Sequence, residues 1–138
     1  MKGYTDLEQS KKLAEILPVE SADMTWEQVD LITGDTAWEP LLGLNVAIKD
    51  NLFSYRNGYT IPCWSLAALL EQIPEKLFDD NGFSYELEII KQKGLCYINY
   101  LCNDYDGIRY HSISSGCMDT LVDACVDVLF KLHKQKLF

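Results

Sequence analysis

Hydrophobic positions change their period twice along the chain, from helical to two and back, and each stretch predicts its elements. Between Asp6 and Leu17 the apolar residues Leu7, Leu13, Ala14, Ile16 and Leu17 fall at helical intervals, with Glu8, Lys11, Lys12 and Glu15 on the outer face. Thr5-Asp-Leu-Glu8 has the spacing of a capping box, Glu8 and Lys12 form a favourable i, i+4 pair, and Pro18 stops the run. A second helix is expected after Ser65, a good N-cap, where Leu66, Leu69, Leu70 and Ile73 make one apolar face before Pro74. From Phe83 the period drops to two: Phe83, Tyr85, Leu87 and Ile89 alternate with Ser84, Glu86 and Glu88. Lys93-Gly94 marks a turn into a second strand over Leu95–Leu101, with Cys96, Ile98 and Tyr100 on one face. Asp106-Gly107 marks the next turn, leading into Ile108–Ile113.

The helical period returns at the end. Leu121, Cys125, Val128 and Leu132, flanked by Val122, Ala124 and Leu129, repeat at i, i+4, i+7 and i+11 after a capping Thr120. Lys131, His133 and Lys134 suit the negative end of that helix's dipole. The order predicts an α+β fold: an antiparallel meander of three strands, extendable to four, packed with an N-terminal and a C-terminal helix. Residues 62–134 hold this helix–meander–helix core within a single domain over 1–138. Residues 18–61 read differently, because Gly34-Asp35, Pro40, Gly43 and Asn57-Gly58 cut them into short pieces. Their apolar content is too high for a solvated linker, so a loop-rich lobe packed on the core is expected, with a short helix near Val46–Phe53.

Four segments carry a resemblance, Glu8–Leu17, Glu20–Met24, Pro62–Leu70 and Leu121–Val126, and so, by pattern alone, does the helix–strands–helix order. The four segments resemble a family of small uncharacterised proteins of Bacteroides-type gut bacteria and their mobile elements. The element order is similar to that of the phage ABA sandwich domain. The resemblance implies an α+β fold and a cytosolic setting, and it implies no activity and no site residue.

Charge and cysteine content narrow the partners. The net charge is −9, and residues 1–40 hold nine of the 21 acids against three lysines. An acidic surface repels phosphate backbones, so direct nucleic-acid binding is not expected. No apolar run nears the roughly 20 residues that cross a bilayer, and the first residues lack a signal-peptide pattern, so a cytoplasmic protein without membrane contact is expected. Five cysteines without a C-x-x-C pair argue against both a disulfide framework and a zinc knuckle. No metal or other cofactor is expected.

Candidate chemistry is thin. Asn103-Asp-Tyr-Asp-Gly107 is the wrong shape for a calcium loop, since aligning its glycine puts Cys102 and Ile113 at ligand positions. Asp and Gly in a hairpin turn explain it. His111 on the third strand could act as a base with Asp104 or Asp119, or pair with Cys117, but no nucleophile elbow accompanies it. Phosphate-loop and dinucleotide motifs are absent. Trp64, beside the second helix, reads as a packing anchor, whereas Trp26 and Trp38 in the loop-rich lobe are the candidate partner-facing residues. The leading expectation is a non-enzymatic accessory protein that acts through a protein–protein interface. One alternative is an acidic DNA mimic that inhibits a nucleic-acid enzyme. Another is a small-molecule binder or unrecognised enzyme, with a pocket between lobe and sheet lined by Tyr85, Tyr97 or Tyr110. A homodimer through an uncovered sheet face or edge strand is also open.

Overall fold

The computed structural model describes residues 2–30, 32–42, 60–78, 82–103 and 109–137. The elements run α1 (Leu7–Leu13), β1 (Met24–Asp30), β2 (Thr36–Leu42), β3 (Thr60–Cys63), α2 (Leu66–Gln72), β4 (Lys76–Phe78), β5 (Ser84–Gln92), β6 (Leu95–Asn103), β7 (Arg109–Ser114) and α3 (Leu121–Lys134), with a 3₁₀ turn at Val19–Ser21. The architecture is α+β, with three α-helices and two antiparallel sheets among the described residues. The chain divides into two compact units, Gly3–Leu69 and Leu70–Phe138 with Met1–Lys2, and the division falls inside α2.

In the Gly3–Leu69 unit, α1 is capped one residue later than the Thr5–Glu8 spacing suggests. Asp6 accepts the Gln9 N–H at 2.8 Å and the Gln9 side chain accepts the Asp6 N–H at 3.1 Å. The physical reason is that the Thr5 hydroxyl is already engaged. It is fully buried, shares a 2.7 Å hydrogen bond with Ser10 Oγ, donates toward Cys63 Sγ at 3.6 Å and accepts the Trp64 N–H at 3.2 Å. The helix proper ends at Leu13, and a tightened turn, closed by Leu17 N–H to Leu13 O at 2.8 Å, carries the chain to Pro18. The ion pair on its outer face joins Glu8 to Lys11 at 3.9 Å, not to Lys12 as the spacing suggests.

Within the loop-rich lobe expected over residues 18–61, β1, β2 and the start of β3 correct that reading: they form a three-stranded sheet in the order β2-β1-β3. β1 and β2 form a hairpin in register from Met24↔Leu42 to Asp30↔Thr36. Gly34, with φ of 86°, lies in its connection, so the residue read as a break between pieces is the turn that joins two strands. Pro40 lies within β2 and Pro62 within β3, both edge strands, where a missing N–H can face away from the ladder. The helix expected near Val46–Phe53 lies outside the described residues.

The other unit holds the four-stranded sheet β4-β5-β6-β7, so the meander has its fourth strand. Lys93 and Gly94 both take left-handed backbone angles, φ 53° and 78°, as a two-residue hairpin between Gln92 and Leu95 requires. The Asp106-Gly107 turn lies outside the described residues. Beyond β7 the chain keeps following β6: Ser115 N–H donates to Ile98 O at 2.9 Å, Ser115 Oγ accepts the Ile98 N–H at 2.9 Å, and Cys96 and Met118 exchange two 2.8 Å bonds.

Cys96, Ile98 and Tyr100 are buried as their alternation predicts. Their β5 neighbours are less so, with Ile89 43% exposed, because α3 packs over β6 and β7. On α3, Thr120 accepts the Asp123 N–H at 3.1 Å and Lys2 pairs with Asp123 at 2.7 Å. The buried residues Val122, Ala124, Cys125, Val126, Val128, Leu129 and Leu132 span roughly 200° at about 100° per residue, about twice a simple amphipathic stripe. Val126 therefore joins the core although the stripe omits it. The helix ends in a Schellman turn, with Lys136 left-handed at φ 57° and Leu137 N–H bonded to Leu132 O at 3.0 Å.

Burial pushes the Cys125 thiol up from its ordinary 9.0 to about 12, and burial also raises the Tyr100 phenol, whose hydroxyl donates to Pro74 O at 2.5 Å. A thiol raised in the folded state contributes stability below the unfolded thiol's range. That contribution is lost as pH rises from the unfolded value to the folded one, because only the unfolded chain sheds its proton in that interval. Urea midpoints should therefore hold up to about pH 8 and drop as pH rises past about 9 toward the folded value, and the drop should be smaller in Cys125→Ala. An identical drop in both chains would show that Cys125 plays no part in alkaline destabilisation.

Candidate partner-binding face

The two tryptophans singled out by sequence lie on the same face of the three-stranded sheet. Cross-strand partners share a face, and the register pairs Trp26 with Pro40 and Ile61, Gln28 with Trp38, and Met24 with Leu42 and Cys63. Met24 and Cys63 are buried, whereas Trp26, Trp38, Pro40 and Ile61 are half-buried. The face thus runs from a dry end at Cys63 to a wetter end at Trp38 and Gln28.

The N-terminal segment forms its dry border. Tyr4 bridges to Ser65, Thr5 N–H donates to Trp64 O at 3.0 Å, and Leu66 N–H donates to Gly3 O at 3.0 Å. This places the Tyr4 ring edge-on to Trp26, centroids 6.0 Å apart at 66°. The Trp26 indole N–H donates to Thr5 O at 3.2 Å, which fixes the ring. Tyr4 stays 37% exposed, so it is a third aromatic of the same surface. Sequence reasoning missed it, since Tyr4 stands ahead of the first helix and only the bridge to Ser65 brings it to the sheet.

On the reverse face Glu27 stands directly opposite Glu39, two like charges across one ladder. The aromatic face offers flat apolar rings with negative π-faces, suited to an apolar or planar group of a partner.

The polar cluster beneath the N-terminal segment is structural in its bonding. Asp23 accepts the Ser65 N–H at 2.9 Å and the Ser65 hydroxyl, while Ser65 Oγ accepts the Ala68 N–H at 3.2 Å as the expected cap of α2. Trp64 is fully buried, with its indole N–H on Ser21 Oγ at 2.9 Å, and so is the packing anchor its position suggests. Burial pushes the Cys63 thiol up, against the hydrogen bonds from Thr5 and Ser10, which keeps it a neutral donor to Thr5 O at 3.5 Å.

Among the described residues the other sequence candidates do not converge. His133 is exposed in the last turn of α3 and Asp119 is exposed ahead of it. His111 belongs to β7, but its side chain, that of Tyr110, and residues 104–107 lie outside what is described. Tyr85 and Tyr97 point to opposite faces of their sheet, since Leu87 opposes Tyr100 and Ile90 opposes Tyr97, so they cannot line one pocket together. Among the described residues no group of three or more His, Cys, Asp or Glu could hold a metal ion, and no helix is long and apolar enough to cross a membrane.

None of the five cysteines forms a disulfide; Cys117 is exposed and Cys63, Cys96, Cys102 and Cys125 are buried. At about pH 7 a thiol reagent should modify Cys117 quickly and the other four only after denaturant is added. Intact-mass spectrometry counts the adducts, and rapid native labelling of several thiols would contradict this burial.

Compared with protein-family models, with curated proteins and with solved structures, the chain matches none. The comparisons therefore add no residue role to the aromatic face.

Proposed function

We propose that the chain is a non-enzymatic accessory protein that acts by binding another protein through the aromatic face of β1, β2 and β3. One observation carries the reading: Trp26 and Trp38 share a face, half-exposed, with Tyr4 at its border. Binding energy at interfaces concentrates in a few residues, tryptophan and tyrosine foremost, seated among apolar neighbours that exclude water. Pro40 and Ile61 are such neighbours. Cysteines that form no disulfide suit a reducing cytoplasm, which is the setting we assign.

Trp38 is the residue to test, because it stands at the wetter end and lies beyond the bonds that hold Trp26. Trp38→Ala should cost clearly less urea stability than the roughly 3–5 kcal/mol of truncating a fully buried tryptophan, because its ring is only half-buried. It should weaken the partner complex by about 2 kcal/mol or more, roughly thirtyfold. The measurement is capture by tagged wild-type and Trp38→Ala proteins at low and high salt, followed by titration of whichever protein the wild type retains. Equal retention by both would remove the aromatic face from the function. A complex that dissolves in salt and ignores Trp38 would instead bring forward the acidic mimic.

A further inference from the structure

We draw no further inference here: the strongest candidate, the half-exposed aromatic face of the three-stranded sheet around Trp26 and Trp38, belongs to the surface already described, and nothing in the structure shows what covers it.

Discussion

A Val128→Asp chain should lose its cooperative unfolding transition. Val128 is 0% exposed and lies within the buried arc of α3, midway along the helix, over β6 and β7. A carboxylate there leaves water without gaining a partner, at an effective cost of several kcal/mol even after the surroundings relax. The lost packing of the valine adds to it. Domains of this size hold only about 5–15 kcal/mol of stability, so the combined loss consumes most of the margin. Circular dichroism through a urea titration would show a sloping baseline where the wild type gives a sigmoid. Lys134→Asp, an exposed position of the same helix, is the control. It should cost less than about 1 kcal/mol, through the unfavourable charge at the dipole's negative end. A Val128→Asp chain that unfolds like wild type would mean that α3 does not cover its sheet as described.

Trp64→Ala should be the second most damaging single change, and it should separate the roles of the tryptophans. Trp64 is the largest fully buried side chain, and truncating such a residue costs about 3–5 kcal/mol. Its indole N–H is the donor to Ser21 Oγ, and the Ser21 hydroxyl in turn donates to Pro18 O at 2.6 Å, so the ring also anchors the 3₁₀ turn. Trp64→Phe keeps most of the apolar volume and removes that donor; it should cost less, on the order of 1–3 kcal/mol. Urea denaturation ranks the series. Equal stability of Trp64→Ala and Trp38→Ala would erase the distinction between anchor and surface on which the functional reading depends.

How much of this was legible in the sequence depended on whether an element declared itself locally. The second sheet did: alternation in β5 and β6 is strong, and Lys93-Gly94 is a turn that only a hairpin needs. α3 did as well, through Thr120, its apolar spacing and its basic last turn. The first sheet did not. Its strands carry Gln28 and Pro40 where an apolar residue would have completed the alternation, and Gly34 looks the same whether it ends a fragment or turns a hairpin. The cap of α1 was misplaced by one residue because the sequence cannot show that Thr5 is spent on Cys63 and Trp64, residues far along the chain. Trp26 and Trp38 were chosen for standing in a lobe read as irregular. That premise was wrong in structure, and their shared face comes from a register that spacing alone does not reveal. Tyr4 illustrates the remaining gap: no local pattern marks a residue whose place is set by a single bridge to Ser65.

The two prolines on the outer strands of the first sheet carry a consequence for how this surface can be approached. A foreign peptide often joins a sheet by lying alongside an edge and continuing its backbone ladder, a mode that is tolerant of sequence. Pro40 and Pro62 each remove a donor from such a ladder and place a ring along the strand, so augmentation is blunted on both flanks. A partner of this unit is left to read side chains from above the pleat. Its affinity should then reside in the identity and order of its own side chains, and a scrambled peptide of equal composition should not substitute for it.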